Sequence, residues 1–169
     1  MALSIFLTAL ALVVFVFAVS CWMSPPWAGK KIARDRGMPY PAIVAHRGAS
    51  YLAPESTLPA YLLARELGPD YLEMDVQRTK DGELIVFHDE TLERVSDVQK
   101  IFPHRSGDPI GSFTFEELQK LDVGTWFNTR FPERARKSYE NLKIPRLVDI
   151  VQIAEGATPK PGKIGRAHV

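Results

Sequence analysis

Three short apolar runs, each followed at once by polar and ionisable residues, constrain the fold of this chain more than any other feature. The runs cover residues 43–45, 71–72 and 84–87, and each has the length and composition of a short buried strand. A helical pattern over residues 58–67 separates the first run from the second and stops at Gly68. A strand, a helix and a parallel strand form a βαβ unit. The sequence therefore predicts an α/β fold.

Ionisable side chains follow each of the three runs. His46 and Arg47 come after the first, Glu73 and Asp75 after the second, and His88 after the third. In folds built from βαβ units, ligands bind beyond the carboxyl ends of the strands. We therefore expect these five side chains to form one site.

The types of side chain indicate which chemistry such a site could carry out. Glu73 and Asp75 are two residues apart, so on a strand they share a face and suit a hard cation, Ca2+ or Mg2+. Histidine titrates near neutral pH, so His46 and His88 could exchange protons with a substrate. Arg47 offers a planar fork for phosphate oxygens. The alternatives are an exposed acidic edge, structural histidines and an arginine in an ordinary salt bridge.

The order and spacing of five short motifs closely resemble the glycerophosphodiester phosphodiesterase family. The motifs are His46-Arg47-Gly48-Ala49, Pro54-Glu55-Ser56-Thr57, Glu73-Met74-Asp75, Thr79-Lys80-Asp81-Gly82 and His88-Asp89. The resemblance extends from about Ile43 to about Gly162. It implies part of a TIM (β/α)8 barrel and metal-dependent hydrolysis of glycerophosphodiesters to an alcohol and glycerol 3-phosphate. A lysophospholipase D-like membrane enzyme and a non-catalytic phosphodiester-binding module are the alternatives.

The resemblance also implies a role for each candidate residue. His46 and His88 would be the acid and base of catalysis, in an order that the sequence leaves open. Glu73 and Asp75 would bind the divalent cation, Ca2+ or Mg2+, and Arg47 would bind the substrate phosphate. Glu55 would not bind the substrate itself but would hold Arg47, or another part of the site, in position. These assignments make the small-molecule substrate either a glycerophosphodiester or a lysophospholipid.

The chain departs from the family pattern at two points. Ser56 stands where the family usually has Asn, and both residues cap helices well. A third acidic metal ligand, and usually a lysine facing the phosphate, come in the family from a strand that would follow residues 144–162. No such strand is encoded here, so we expect the 169-residue chain to bind metal weakly and to turn over little substrate.

The first 24 residues are almost wholly apolar, and Lys30 is the first charged residue. Residues 1–24 are long enough to predict a transmembrane anchor or a signal segment. Cys21 would be lipidated if Ala18 to Cys21 were a lipoprotein cleavage site. Residues 25–41, rich in Pro, Gly and basic residues, are predicted to be a linker. The expected location is membrane-anchored on an undetermined side, with secreted and lipoprotein forms as alternatives.

Composition and length set the remaining limits. A net charge of +1 does not suggest a nucleic-acid partner, and the single cysteine excludes an intrachain disulfide. The catalytic domain is predicted over 42–162 and is incomplete, because a whole barrel needs roughly 250 residues. Residues 163–169 match a translated sequencing adapter and are predicted to be a non-native tail, with a genuine polar tail as the alternative.

The later part of the chain gives weaker signals. Residues 95–111 predict a long loop, and residues 112–118 predict a short helix capped by Ser112 or Thr114. The aromatic residues within 122–136 predict packing in the core or at the barrel rim. A further helix is predicted from about Leu147 to Glu155.

Overall fold

The computed structural model describes residues 2–23 and 28–156. The chain divides into two compact units, residues 1–42 and residues 43–169. The predicted tail at 163–169 lies outside the described residues.

The N-terminal unit contains two helices, α1 (Ala2–Met23) and α2 (Ala28–Asp35). None of the helices in the described ranges is long and apolar enough to cross a bilayer. The transmembrane anchor expected at residues 1–24 is therefore not found.

Helix α2 lies inside the segment that the sequence predicts to be a linker. Lys31 and Asp35, one helical turn apart, form an ion pair of 2.5 Å on its surface. Cys21 is exposed and unpaired. Nothing in the structure tests the signal-peptide and lipoprotein alternatives.

The second unit has five helices and four short strands among its described residues. The helices are α3 (Leu58–Leu67), α4 (Val98–Ile101), α5 (Phe115–Leu118), α6 (Thr125–Arg130) and α7 (Leu147–Ala154). The strands are β1 (Val44–Ala45), β2 (Tyr71–Leu72), β3 (Val76–Arg78) and β4 (Leu84–Val86). Short 3₁₀ turns connect several of these elements.

The predicted βαβ unit is confirmed. Strands β1 and β2 pair in parallel, with Val44 opposite Tyr71 and Ala45 opposite Leu72. Helix α3 connects them over the residues that the apolar pattern predicts. It ends where Gly68 adopts a left-handed conformation with φ of 71°, which glycine enters without steric cost.

The third apolar run pairs differently from the first two. Strand β4 forms an antiparallel hairpin with β3, so the turn at residues 80–82 connects β3 to β4. The Thr79 hydroxyl donates to Asp81 Oδ1 at 2.6 Å and accepts from the Glu83 amide at 2.9 Å. Strand β3 was not predicted from the sequence because Val76-Gln77-Arg78 is short and mostly polar. The described strands form two separate pairs and do not close a barrel.

Helices α3 and α7 bury their apolar faces around β4. Tyr61 of α3, Val86 of β4, and Ile150 and Ile153 of α7 are completely buried in one cluster. Burial of each such side chain contributes roughly 1.5–3 kcal/mol. This packing confirms the predicted helix α7 and fixes the end of β4 against the βαβ unit.

The aromatic residues of α6 pack into the core, as predicted. Phe127 is completely buried, with ring centroids 5.0 Å from Phe131 and 5.8 Å from Tyr139. The predicted short helix α5 is capped by Thr114, whose hydroxyl accepts from the Glu117 amide at 3.2 Å. The segment predicted to be a long loop holds helix α4 and two 3₁₀ turns.

Candidate active site

Pairing of β1 with β2 brings the first two groups of predicted site residues together. The Glu73 amide donates to the Ala45 carbonyl at 3.0 Å, which continues the ladder beyond the strand ends. The Arg47 amide then donates to Glu73 Oε2 at 2.9 Å. One Glu73 oxygen is thereby fixed just beyond the carboxyl ends of both strands.

The Arg47 side chain lies between two carboxylates. Its Nη1 donates to Glu55 Oε1 at 2.9 Å, and its Nε lies 3.5 Å from Asp75 Oδ2. The Arg47 side chain is only 16% exposed, and the Glu55 side chain 13%. Arg47 Nε and Asp75 Oδ2 are buried and make no hydrogen bond to any described residue. Such atoms favour a polar ligand, since an unpaired buried polar group is costly.

The Glu73 and Asp75 carboxylates suit a divalent cation in part. Both are partly buried on one short extended segment, and Asp75 Oδ2 has no hydrogen-bond donor. A hard cation takes oxygen ligands and completes its coordination with water. Within residues 2–23 and 28–156, no group of three His, Cys, Asp or Glu residues could hold a metal ion. Two carboxylates on one segment thus supply oxygen donors of the kind that a hard divalent cation takes.

Arg94 connects Glu55 to Asp89 and was not predicted from the sequence. Its Nη1 and Nη2 donate to the two Glu55 oxygens at 3.0 and 2.6 Å. Its Nε and Nη2 donate to the two Asp89 oxygens at 2.5 and 2.9 Å. The guanidinium thus faces two carboxylates at once. Arg94 and Glu55 are 39 residues apart, and no local sequence pattern indicates that they form a pair.

His88 follows β4 and is oriented by its neighbour. Its Nδ1 lies 2.5 Å from Asp89 Oδ1. An ionised carboxylate only accepts hydrogen bonds, so the proton is on Nδ1 and Nε2 is the free ring nitrogen. Gln77 of β3 supports this turn, because its Nε2 donates to the carbonyls of Phe87, His88 and Asp89 at 3.2, 3.1 and 2.6 Å. Gln77 was also missed by the sequence analysis.

His46 lies immediately after β1, next to Arg47, and is exposed. Its ring makes no hydrogen bond or ion pair with the residues that the structure describes. It lines an open groove beside β1 and α3, whereas His88 and Glu55 line a small separate cavity. Contacts therefore connect five of the predicted residues, with Arg94 and Asp89 as the link to His88: Arg47, Glu55, Glu73, Asp75 and His88. His46 is adjacent to Arg47 in the sequence but is not part of this set of contacts.

Tyr61 of α3 holds the backbone just after β2 in place. It is completely buried, and its hydroxyl donates to the Glu73 carbonyl at 3.1 Å. Burial, followed by the negative charge of Glu73, raises the pKa of Tyr61 far above its ordinary value. Tyr61 therefore stays protonated and serves as a fixed hydrogen-bond donor.

Gly48 allows the loop that carries His46 and Arg47 to lie directly on α3. Its φ is 81°, and a Cβ there would come within 2.8–2.9 Å of Ala60 backbone atoms. We expect Gly48→Ala to lower the free energy of unfolding by about 2–4 kcal/mol, because backbone strain and overlap add. Urea unfolding measures this change.

The matched control for Gly48→Ala is Gly68→Ala. Gly68 also has a positive φ, of 71°, but open space surrounds the position of its Cβ. Its replacement by Ala should lower the free energy of unfolding only by the cost of the left-handed backbone conformation, about 1–2 kcal/mol. Equal losses for the two variants would contradict the proposed close packing of the Gly48 loop.

The carboxylates bound by Arg94 have lowered pKa values. For Asp89, the hydrogen bonds from Arg94 are the largest cause, and the contact with His88 adds to them. For Glu55, burial acts most strongly and raises the pKa, but the hydrogen bonds and charges of Arg94 and Arg47 together outweigh it. Both groups are therefore ionised at neutral pH.

These shifts predict how stability depends on pH. A carboxyl group whose pKa is lower in the folded state stabilises the fold above its unfolded pKa, and this contribution is lost as pH falls through the folded value. We expect the contribution of Glu55 and Asp89 to the free energy of unfolding to be constant from about pH 5 to neutral pH and to fall below about pH 5. In Arg94→Gln the decline should be shallower. Urea titrations at a series of pH values test this, and an identical decline in both proteins would contradict the assignment.

Comparison with known proteins places this arrangement in a family. The model of the glycerophosphoryl diester phosphodiesterase family matches residues 46–162, which lie within the predicted domain at 42–162. A glycerophosphodiester phosphodiesterase of Bacillus subtilis is 36% identical over 149 residues, which is 88% of this chain and 46% of that protein. One of Caldanaerobacter subterraneus is 39% identical over 124 residues, 71% of this chain and 48% of that protein.

Solved structures agree with the sequence matches. A glycerophosphodiester phosphodiesterase from Agrobacterium tumefaciens has 36% identity and a TM-score of 0.54, with 69% of this chain and 44% of that chain covered. A phosphodiesterase from Oleispira antarctica in complex with the product sn-glycerol-3-phosphate has 32% identity and a TM-score of 0.55, with 68% and 40% covered. The predicted mixed α/β class is confirmed, and the chain spans about half the length of the relatives that it matches.

Proposed function

Because this chain belongs to the glycerophosphoryl diester phosphodiesterase family, we propose that it hydrolyses glycerophosphodiesters to an alcohol and glycerol 3-phosphate. The observation that carries the proposal is the Arg47 guanidinium, which Glu55 holds through Nη1 while its buried Nε, in an ion pair with Asp75, makes no hydrogen bond. A phosphodiester is an anion that must accept further negative charge during hydrolysis. A fixed cation with a free donor at the strand ends meets this need.

Arg47 binds the phosphate in this proposal. Glu55 fixes one side of the guanidinium through Nη1, so the fork is oriented before substrate arrives. Pre-orientation lowers the entropy lost on binding. The 3.5 Å separation of Nε from Asp75 Oδ2 leaves Nε free to donate to a phosphate oxygen.

The two histidines transfer protons in this proposal. The glycerol hydroxyl next to the phosphodiester attacks phosphorus and expels the alcohol, which gives a cyclic phosphate that water then opens. One histidine removes the proton of the attacking hydroxyl, and the other protonates the leaving alkoxide. His88 acts through Nε2, because Asp89 occupies Nδ1.

Glu73 and Asp75 would hold the divalent cation, Ca2+ or Mg2+, which supplies positive charge to the phosphoryl oxygens. Three features of the chain prepare these carboxylates for a cation. The Arg47 amide orients Glu73 Oε2, and Asp75 Oδ2 carries no competing hydrogen bond. Tyr61 holds the backbone between them through the Glu73 carbonyl.

Choline release from glycerophosphocholine tests the proposal, with added Ca2+ or Mg2+ and with EDTA as the control. The assay uses the 169-residue chain and, where the locus encodes a longer protein, that protein as well. Metal-dependent release by either form supports the proposal, but strong release by the 169-residue chain itself would contradict the expectation that this chain turns over little substrate. Release from lysophosphatidylcholine alone would favour a lysophospholipase D-like enzyme. Binding of glycerophosphocholine without any turnover in the longer protein would favour a non-catalytic phosphodiester-binding module.

A further inference from the structure

We propose that Arg94 is a positioning residue that fixes the proton-transfer group His88 relative to the phosphate-binding group Arg47. It does so through two carboxylates, Glu55 and Asp89. This inference rests on the proposed function of the same site and adds a residue outside the five motifs named in the sequence analysis.

Arg94 makes four hydrogen bonds of 2.5–3.0 Å, two to each carboxylate. Both carboxylates are engaged through both of their oxygens, so neither can rotate without breaking contacts. Bidentate pairing of this kind fixes direction as well as distance.

Each of these two carboxylates also contacts a residue of the candidate site. Glu55 Oε1 accepts from Arg47 Nη1 at 2.9 Å as well as from Arg94. Asp89 Oδ1 pairs with His88 Nδ1 at 2.5 Å as well as with Arg94. The contacts therefore form one chain of alternating charge, which runs from Arg47 through Glu55, Arg94 and Asp89 to His88.

The ion pairs of Arg94 differ from ordinary surface ion pairs because the two carboxylates are largely buried. The Arg94 side chain is 46% exposed, but its two partners are only 13% and 21% exposed. Without Arg94, the Asp89 carboxylate would keep only the His88 contact among those that the structure gives it, and it would be free to turn away from Nδ1. The imidazole would then lose the contact that places its proton on Nδ1 and leaves Nε2 for the substrate.

The test measures the ring nitrogens of His88 by ¹⁵N NMR in the 169-residue chain, near pH 8, where an ordinary imidazole is neutral. The wild-type chain should show the Nδ1-protonated tautomer. In Arg94→Gln the ratio of this tautomer to the other should fall roughly tenfold, the effect of losing one charge-assisted hydrogen bond. An unchanged ratio in a folded Arg94→Gln chain would overturn the proposal.

Arg105→Gln is the matched control. Arg105 also bridges two carboxylates, Asp108 and Glu117, at 3.2 and 2.8 Å, and it contacts none of the site residues. Its replacement should leave the His88 tautomer ratio unchanged. An equal change in both variants would show a general loss of stability and would overturn the positioning role.

Arg94→Lys serves where Arg94→Gln fails to fold. Lysine keeps the charge, but as a compact ammonium it cannot pair bidentately with both carboxylates. The tautomer ratio should then lie between those of the wild type and a chain with Asp89→Asn. A ratio equal to the wild type would overturn the proposal. None of these readouts needs turnover, so a failed hydrolysis assay would refute the proposed function without deciding the role of Arg94.

Discussion

Replacement of His88 by Gln should lower the rate of phosphodiester hydrolysis by about 100- to 10,000-fold, the usual contribution of a general acid or base. Glutamine keeps hydrogen-bonding groups of similar size but cannot take up and release a proton at neutral pH. The same loss is expected for His46→Gln. Choline release from glycerophosphocholine measures both, in whichever form of the protein shows turnover.

The matched control for the histidine variants is His104→Gln. His104 lies in an exposed 3₁₀ turn between α4 and α5 and makes no contact with the site residues. Its replacement should leave the rate within about twofold of the wild type. A rate for His88→Gln within the same range would remove His88 from the mechanism. A bell-shaped pH profile in the wild type that loses one limb in each variant would identify the acid and the base.

Replacement of Asp75 by Asn should weaken binding of a divalent cation by at least about tenfold, since one anionic oxygen ligand of a hard cation is lost. Asp75 is expected to carry the larger share of binding because its Oδ2 has no hydrogen-bond donor, whereas Glu73 Oε2 already accepts from the Arg47 amide. Broadening of NMR signals by Mn2+ measures binding in the 169-residue chain, even where affinity is low.

Asp108→Asn controls for the general loss of one negative charge. Asp108 is a partly exposed carboxylate that pairs with Arg105. Broadening at residues 73–75 that persists in Asp75→Asn, or that falls equally in Asp108→Asn, would contradict a metal site at these carboxylates.

The elements that sequence reasoning predicts best are those with a local signal. The apolar pattern of α3 and the glycine after it define that helix to the residue. The capping pair Thr114 and Glu117 similarly indicates α5. Strand β3 has no such signal, because its three residues are polar or exposed and become a strand only by pairing with β4.

The residues of the candidate site likewise fall into those that a local sequence signal predicts and those that it does not. Glu73, Asp75 and His88 stand directly after apolar runs, so strand ends alone predict that they converge. Arg94 and Gln77 could not be predicted, because each acts on residues that are distant in sequence or through backbone carbonyls. Asp89 belongs to a family motif, but its role in orienting the imidazole follows only from the 2.5 Å contact.

The N-terminal segment shows a different limit. Its composition predicts a transmembrane anchor or a signal segment over residues 1–24, whereas none of the helices in the described ranges has the length and hydropathy of a membrane span.

The most direct test of the central claim is to titrate the ¹⁵N-labelled chain with sn-glycerol 3-phosphate in the presence of Mg2+, and to map the NMR shifts. Glycerol alone and inorganic phosphate are the controls. The account predicts shifts concentrated at residues 46–48, 73–75 and 88–89, with loss of those shifts in Arg47→Gln. Shifts confined to other surfaces, or unchanged binding in Arg47→Gln, would contradict a glycerol-phosphate site at these strand ends.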